Sequence, residues 1–567
     1  MPRRFHFRPE YEIPELWWEI ASYCTPRTLR SLSLVSKKLV DPAQRHLFKE
    51  LSLKIGLPSH YCQEDYADSA WKRLEDLAES HLRHYVRHWT CEGFNNSANY
   101  RPPAAFIDAA AMLIVLLRHT LPQFTMLNSL HIRYMAVYDN IMATIATLKN
   151  LKSLHLVGVT FDLEHVLPPP LPVREFLIHT GPKYFVNEDA HARLEGLLSP
   201  DHLRKLSMDC PHNDALQETL CRELITHKPH NDLDHLAFSI SGLGAVPTLA
   251  ELLQASPLLQ VLKVTVVWPP QNDLDPLDLD EALTSIPLSS DACRLVDDLT
   301  SAPPFASAFC PGRPIRKFSM QCGRLFSRSY SLEDVMDCLR CLDGRILTEL
   351  KFDSTTTDDA RVILPALADL FPNLKVLCMP INEAEGQVPS YRLAQTLDDM
   401  EIEDPDDIKR ERKQFEDCYD DGYDDIDMLR LPDTQVSFCD GYLRLLSDIA
   451  FGTMIQLPET LVQLDIPQNR TYKRLKFTKD HELQLVHCFT IRSRAWDNLR
   501  SLKIGINNAY NRPWKKDSEG RWKKERYYFR GNHQNMMGTA CLGGRPGVSD
   551  SAWYCLSRGY AVDVTKV

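Results

Sequence analysis

The chain has 567 residues, of which 44% are hydrophobic and 25% are charged. These proportions are typical of a globular protein and exclude a collagen-like chain, a wholly disordered chain and a small fold held together by disulfides. The formal net charge of −11 lies in residues 398–428, which hold 15 acidic and four basic side chains. The rest of the chain is neutral, with 61 acidic and 61 basic residues. This balance argues against polyanion binding by the molecule as a whole.

The first residues and the cysteines bear on the compartment. Arg3, Arg4 and Arg8 are followed by no apolar core, so no secretory signal is predicted. The most apolar stretch, Ala104 to Leu117, is interrupted by Asp108, and its nine uninterrupted residues are about half of what a membrane span needs. Sixteen cysteines without a secretory signal predict free thiols in a reducing compartment. We expect a cytoplasmic or nuclear protein without a membrane partner.

Three short helices are predicted in the first fifty residues. Pro14 fits the first position of a helix, where its missing N–H costs nothing. Apolar residues with a 3.6-residue spacing then predict one buried face on this helix, formed by Ile13, Leu16, Trp17, Ile20 and Cys24. Thr25-Pro26 predicts the start of a second helix. Its apolar side holds Leu29, Leu32, Val35 and Leu39.

Asp41-Pro42 predicts the start of a third helix that ends near Leu47-Phe48. Three helices in about 40 residues are too short to bury a core of their own. We therefore expect them to be completed by a partner, by the downstream domain or by both.

This segment resembles an F-box, and the run from Arg27 to Leu39 resembles the motif as it appears in fungal F-box proteins. The resemblance covers residues 11–51 and rests on Ile13-Pro14-Glu15-Leu16, Glu19-Ile20, Tyr23, Leu29, Leu32 to Ser36 and Leu47-Phe48. An F-box docks on a Skp-type adaptor and through it on a cullin–RING ubiquitin ligase. The resemblance implies that the adaptor-binding residues are Ile13, Pro14, Leu16, Trp17, Ile20, Leu29, Leu32 and Val35. The alternative is a three-helix cap of the downstream domain.

The pattern L-x-x-L-x-L, with any large apolar residue allowed, recurs twelve times further along the chain, mostly at steps of 22–32 residues. Its middle positions are Trp89, Leu130, Leu154, Phe176, Leu206, Leu236, Leu262, Phe318, Leu350, Leu377, Leu464 and Leu502. Return helices are predicted over 138–148, 215–226 and 360–370. The pattern resembles leucine-rich repeats, in which strand–helix units stack on one another. The asparagine that this family places after the strand occurs only at Asn382, Asn469 and Asn507.

We therefore expect an α/β fold, in which a short three-helix F-box is followed by an irregular leucine-rich-repeat-like solenoid of strand–helix units. An ordinary α/β protein with many amphipathic strands is the alternative. Residues 269–314, rich in Asp, Pro and Ser, are predicted to form an insertion or a mobile loop. The predicted domains are an F-box over 8–55, a solenoid over 56–397 and 431–508, an acidic disordered insertion over 398–430, and a basic and aromatic, partly disordered tail over 509–567.

The tail allows two interpretations. Residues 510–530 hold eight basic and three acidic side chains, interleaved with six aromatic ones. That combination is typical of a surface for single-stranded nucleic acid. It is also expected of a helix or hairpin that packs on the end of the solenoid or on the acidic insertion, which is the interpretation we favour over nucleic-acid binding. Residues 531–567 are expected to be poorly ordered.

The motifs that could carry chemistry are weak. Cys338-Leu-Arg-Cys341 has no second pair at zinc-site spacing, and His81, His84 and His88 lack the glutamate of a metalloprotease helix. Residues 417–428 place Met428 where a calcium loop needs a bidentate glutamate. Phosphate-binding glycine loops and the nucleophile elbow are absent from the sequence. We predict no catalytic residue, no cofactor and no metal, and we do not expect an enzyme.

The predicted function is the substrate-recognition subunit of a Skp–cullin–F-box ubiquitin ligase. The F-box binds the adaptor, the repeats bind an unknown protein substrate, and other subunits supply the chemistry. Two alternatives remain: a scaffold that binds the adaptor outside a cullin complex, and an enzyme with its site in an insertion. The substrate is not predicted, because the outward strand positions carry mixed charge, at His131, Arg133, Asp209, Lys263, Lys351, Asp353 and Lys503.

Overall fold

A computed structural model gives the fold of the chain. It describes residues 14–54, 63–93, 114–163, 170–180, 193–210, 213–226, 232–267, 276–289, 291–322, 330–382, 441–451, 455–468, 482–483, 485–486, 489, 496–506, 512–518 and 520–524. Ile13, the acidic residues 398–430 and residues 531–567 lie outside this part of the chain. The architecture is α/β, and its sheets are mostly parallel.

Twelve α-helices have defined bounds within the described residues. They are α1 Pro14–Ser22, α2 Pro26–Val35, α3 Lys37–Leu47, α4 Gln63–Glu79, α5 Asp139–Ala146, α6 Asp214–Thr226, α7 Ala245–Ala255, α8 Pro276–Thr284, α9 Pro303–Phe309, α10 Leu332–Arg340, α11 Thr357–Leu370 and α12 Gly441–Phe451. Short 3₁₀ helices span His81–Tyr85 and Leu121–Gln123. No described helix has the length and apolar character that crossing a membrane requires.

The strands are short and most hold three to six residues. They are β1 Glu50–Lys54, β2 His88–Glu92, β3 Ser129–Arg133, β4 Ala136–Tyr138, β5 Ser153–Val157, β6 Thr160–Asp162, β7 Glu175–His179, β8 Lys205–Asp209, β9 His235–Ile240, β10 Val261–Val266, β11 Asp298–Ser301, β12 Lys317–Met320, β13 Glu349–Phe352, β14 Thr355–Thr356, β15 Val376–Cys378, β16 Ile381–Asn382, β17 Gln463–Gln468, β18 Ser501–Ile506, β19 Trp514–Lys516 and β20 Trp522–Lys524. Each of the twelve recurring sequence segments overlaps one of these strands.

The three N-terminal helices begin and end differently from the sequence prediction. Thr25 caps α2 as expected, since its hydroxyl accepts a hydrogen bond from the Thr28 N–H at 3.3 Å. However, Ser36 is extended, ends α2 and caps α3 by accepting from the Lys38 N–H. The helix start predicted at Asp41-Pro42 is therefore wrong, and Pro42 lies inside α3. The serine cap precedes that signal by five residues and begins the helix first.

The chain divides into two compact units. The first comprises Met1–Thr300, Gly312–Pro314 and Tyr527–Val567. In it β1, β2, β3, β5, β7, β8, β9, β10 and β11 follow one another as a parallel ladder. The register aligns the middle apolar residue of each strand with that of the next, so that Trp89 pairs with Leu130 and Leu130 with Leu154. These side chains are fully buried and form the core beneath the ladder.

The second unit comprises Ser301–Pro311 and Ile315–Arg526. Parallel pairing runs from β12 through β13, β15 and β17 to β18, again with the middle apolar residues in register. The antiparallel strands β19 and β20 then form a hairpin beside β18, where Leu502 pairs with Trp514. The first part of the tail is therefore a packed hairpin, as the favoured interpretation of its sequence expected.

The segment 269–314 differs from its prediction as an insertion or mobile loop. It contains α8, β11 and α9, and β11 pairs with β10 through Leu299 and Leu262. Its strand was missed because Val296-x-x-Leu299-x-Ser301 has a serine at the third position, although Ser301 is fully buried. The sequence prediction also lacks the strand β1: Phe48, Leu51 and Leu53 fit the apolar pattern, but Phe48 also fits the predicted end of the third helix.

Candidate partner-binding surface

A small core fixes the three N-terminal helices to the rest of the first unit. Its buried members are Ala21, Leu29, Ala43, Leu47 and Phe48. Leu77 of α4 and Leu82 and Tyr85 of the 3₁₀ helix pack against this cluster. Because Phe48 leads directly into β1, the helices share their core with the start of the strand ladder. They are therefore held to it on one side while their other side stays in solvent.

That solvent side carries an unusual number of large apolar side chains. Of the thirteen exposed large hydrophobic residues in the described part of the chain, six fall between residues 16 and 35. We call these six the helical apolar surface: Leu16, Trp18, Ile20, Tyr23, Leu34 and Val35. Leu34 and Val35 are each 75% exposed. A concentration of exposed apolar side chains on a stable scaffold is typical of a site that binds another protein.

The structure places the expected adaptor-binding residues at three depths. Leu16, Ile20 and Val35 belong to the helical apolar surface, and Trp17 and Leu32 are half-buried. Leu29 is only 4% exposed, so its side chain can support such a surface but cannot contribute much contact area to it. Pro14 is the first residue of α1, and its side chain, like the whole of Ile13, is outside the described part.

The buried face predicted for the first helix is wrong for Leu16 and Ile20, whereas Trp17 is half-buried and Cys24 packs against the small core. Leu16 and Ile20 are 56% and 41% exposed, and the buried residue of α1 is Ala21. The reason is the close approach of α1 to α3, where His46 Nε2 lies 3.2 Å from the Trp18 carbonyl oxygen. A helix of nine residues has one narrow side for this contact, and its wider apolar face is left to solvent.

Three members of the surface were not among the predicted site residues: Trp18, Tyr23 and Leu34. The guanidinium of Arg45 lies 5.0 Å from the centre of the Trp18 ring, which orients the indole at the edge of α3. The Tyr23 hydroxyl donates to the Glu19 carboxylate at 2.9 Å, and this hydrogen bond raises the pKa of Tyr23. The sequence signal for these three residues is that they are apolar but lie outside the 3.6-residue pattern of each helix, which indicates a second apolar face.

A polar face formed by outward strand residues is the other notable feature of the first unit. The rings of His131 and His155 stack with centroids 4.1 Å apart, and burial, together with the neighbouring His155, lowers the pKa of His131 to about 4. His179 Nδ1 lies 2.6 Å from a carboxylate oxygen of Asp209, and this hydrogen bond raises the pKa of His179. The face therefore combines neutral imidazoles with an ion pair.

The remaining motifs do not assemble into a reactive site in the described residues. Cys338 is fully buried near the end of α10, and burial raises the pKa of its thiol well above the usual value, which disfavours the thiolate. His81 and His84 are exposed on the 3₁₀ helix, whereas His88 opens β2. A group of three or more side chains able to hold a metal ion was not found among the described residues. The ten described cysteines are free thiols.

Comparison with known proteins adds no relative. The chain matches no protein-family model and no curated protein.

Proposed function

We propose that this protein is the substrate-recognition subunit of a Skp–cullin–F-box ubiquitin ligase. In this proposal α1 to α3 are an F-box that binds a Skp-type adaptor. The strand–helix units are an irregular leucine-rich-repeat-like solenoid that binds a protein substrate. The protein itself contributes no nucleophile, acid or base. It holds substrate lysines close to a conjugating enzyme carried by other subunits, in the cytoplasm or the nucleus.

The helical apolar surface is the observation that carries the proposal. An F-box must leave apolar side chains in solvent until the adaptor covers them, and Leu34 and Val35 have three quarters of their surface free. Covering such a side chain contributes at most about 1.5–3 kcal/mol, against which the entropic costs of association are set. A cap that only closed the downstream domain would direct these side chains inward, as it directs Leu29.

The parallel ladder supports the second half of the proposal. Strands aligned in one register repeat the same outward positions at steps of about 4.8 Å, which produces a long polar face well suited to an extended partner. That face lies in the same unit as the three helices. A substrate bound there and an adaptor bound to the helices would be held by one scaffold.

Co-purification with a Skp-type adaptor tests the proposal. We expect the double variant Leu16→Ala/Val35→Ala to reduce adaptor recovery about tenfold or more, because both side chains lose apolar area that the adaptor would cover. The matched control is Leu243→Ala/Leu258→Ala, which truncates two exposed leucines of the same unit outside the three helices. Equal recovery with both variants, or no recovery with the unmodified chain, contradicts the proposal.

Cullin in the same purification separates the ligase from its nearest alternative. Recovery of adaptor and cullin together, both lost in Leu16→Ala/Val35→Ala, supports the ligase subunit. Recovery of the adaptor without cullin supports a scaffold outside the cullin complex.

A further inference from the structure

A row of basic residues crosses the first unit at the point where its strands begin. The N–H of Arg87 donates to the Lys49 carbonyl, and the N–H of each following member donates to the carbonyl of the one before it. We call this the strand-entry row, and it comprises Lys49, Arg87, Asn128, Lys152, Arg174 and Arg204. Neighbouring members are therefore about 4.8 Å apart, and the row spans about 24 Å. It carries five positive charges.

Four of these side chains are free to bind a ligand. Lys49, Lys152, Arg174 and Arg204 are exposed, and within the described part of the chain none of them has an ion-pair partner. Arg87 is half-buried and donates to the Met126 carbonyl at 3.0 Å. Burial, and then the charge of Arg45, lower the pKa of Arg87. Four of the five positive charges of the row are thus exposed and without an ion-pair partner among the described residues.

The neighbouring row, one residue further into each strand, does not cancel this charge. It contains Glu50 and Glu175 as acidic residues and Lys205 as a basic one, and Lys205 Nζ lies 3.8 Å from Glu175 Oε1. The two rows together therefore carry a net charge of +4, from +5 in the first and −1 in the second.

The fold does not require a basic residue at this position. The corresponding residues of later strands, whose carbonyls accept the same pair of N–H groups, are Asp234, Gln260, Arg316, Thr348, Lys375 and Val462. Acidic, neutral polar and apolar side chains are all compatible with the backbone geometry. Basic residues occupy five of the six positions of the strand-entry row but two of these six later positions, so the positive charge is concentrated in the row.

We propose that the strand-entry row is a docking site for an extended acidic peptide segment of a partner protein. The inference rests on the proposed function in one respect, that the first unit captures a protein. It adds that the captured segment is acidic and extended. An extended peptide advances about 3.3 Å per residue, so about seven or eight residues match the length of the row. Carboxylates within such a peptide reach successive guanidinium and ammonium groups along it.

The surroundings of the row favour a peptide over single-stranded nucleic acid. Binding of single strands relies on exposed aromatic rings on which the bases stack. The residues on either side of each row member include one aromatic residue of the Phe, Tyr and Trp class, Phe48, and it is buried. The aromatic and basic tail that suggested nucleic acid from the sequence has its Trp514 and Trp522 buried in the hairpin.

The test is binding of a fluorescein-labelled peptide of eight glutamates to the purified full chain, followed by fluorescence anisotropy at low and high salt. We expect saturable binding that weakens with salt. We expect Lys152→Glu/Arg174→Glu/Arg204→Glu to raise the dissociation constant about tenfold or more. The control, Lys72→Glu/Arg118→Glu/Arg222→Glu, changes the net charge of the same unit equally with exposed residues off the row, and we expect it to change binding less than twofold.

A second chain, with residues 398–428 replaced by a glycine–serine linker of equal length, removes competition from the protein's own acidic residues. The proposal is supported if the peptide binds the full chain or the chain with the replaced segment, and if the row variant of that chain no longer binds it. Absence of binding to both chains, or equal loss in the control variant, overturns it. Tighter binding of an oligothymidine of eight nucleotides, with the same sensitivity to the row variant, also overturns it in favour of nucleic acid.

Adaptor recovery by the row variant keeps this inference separate from the proposed function. We expect the adaptor to be recovered normally, because the helical apolar surface is unchanged. If Leu16→Ala/Val35→Ala loses adaptor binding but keeps peptide binding, the helical apolar surface acts on the adaptor alone. If the row variant loses peptide binding but keeps adaptor binding, the strand-entry row acts on the peptide alone.

Discussion

His179 and Asp209 form the clearest single interaction on the polar strand face, and its pH dependence follows from the two pKa shifts. The hydrogen bond that the Asp209 carboxylate accepts from His179 raises the pKa of His179 above 6.5. Burial would raise the pKa of Asp209, but the hydrogen bonds from His179 and Ser239 outweigh it and lower that pKa below 3.8. The histidine contribution to stability is therefore complete below pH 6.5 and is lost as the pH rises through the raised pKa of His179. The aspartate contribution is present above pH 3.8 and is lost in more acidic solution.

We therefore predict that Asp209→Asn lowers the melting temperature more at pH 5.5 than at pH 8.5. At pH 5.5 both groups of the unmodified protein are charged, and the imidazole of His179 loses its charge as the pH rises through its raised pKa. The pair is about half exposed, so solvent screening limits its contribution to about 0.5–1 kcal/mol. Thermal denaturation at the two pH values checks this. Asp201→Asn, an exposed aspartate of the same unit, is the control, and an equal effect of Asp209→Asn at both pH values would contradict the assignment.

At the scale of the elements, an asparagine before the strand connects neighbouring strand segments of the ladder. Asn150, Asn373 and Asn498 each stand just before the first leucine of their segment. Their side-chain amides donate to the backbone carbonyls of Thr125, Arg345 and Glu459 at 2.9–3.0 Å. The asparagine expected after the strand, by resemblance to leucine-rich repeats, occurs among described residues at Asn382, which donates to Ser354.

We predict that Asn373→Ala destabilises the second unit by about 1 kcal/mol, because the Arg345 carbonyl loses its partner. This corresponds to a fall of about 2–4 °C in the melting temperature of a unit of this size. The comparison variant is Lys375→Ala, an exposed residue of the same unit that holds its neighbours through its backbone N–H and carbonyl. A larger fall for Lys375→Ala than for Asn373→Ala would show that the side-chain bridge is not what stabilises the turn.

The strands were predictable from the sequence because their apolar residues alternate in a fixed pattern of three. Two strands of the parallel ladder were missed because their pattern has an atypical member: Ser301 replaces an apolar residue in β11, and Phe48 lies between α3 and β1. The short strands β4, β6, β14 and β16 carry no such pattern and were not predicted. Exposure of the helical residues was less predictable. The same 3.6-residue spacing describes a buried face and a face that awaits a partner, so the sequence could not distinguish Leu16, in solvent, from Leu29, in the core.

At the scale of the molecule, the first unit joins two candidate surfaces through one core. The helical apolar surface is carried by α1, α2 and the turn between them, and both helices pack on α3. Phe48 follows α3 and is buried in the shared cluster, and Lys49, the first member of the strand-entry row, is the next residue. A partner on the helices and a peptide on the row would therefore be separated by a fixed distance, which is what positioning a substrate relative to a ligase requires.

In the second unit, the hairpin of β19 and β20 protects the edge of the sheet. The indoles of Trp514 and Trp522 are buried, whereas Lys515 and Lys523 are exposed between and beside them. The nearly buried carboxylate of Glu482 accepts from Trp514 Nε1 at 2.8 Å and from Lys524 Nζ at 2.8 Å, which holds both strands of the hairpin in place. Lysines on an edge strand discourage pairing with another sheet.

We therefore predict that a chain ending at residue 511 associates with itself, because the backbone groups of Ser501 and Leu502 that pair with β19 become available to another strand. Light scattering after size-exclusion chromatography should show a larger mass per particle, rising with protein concentration. A chain ending at residue 526 keeps the hairpin and is the matched control. If both truncated chains have the same mass at all concentrations, the hairpin is not what keeps this edge from pairing.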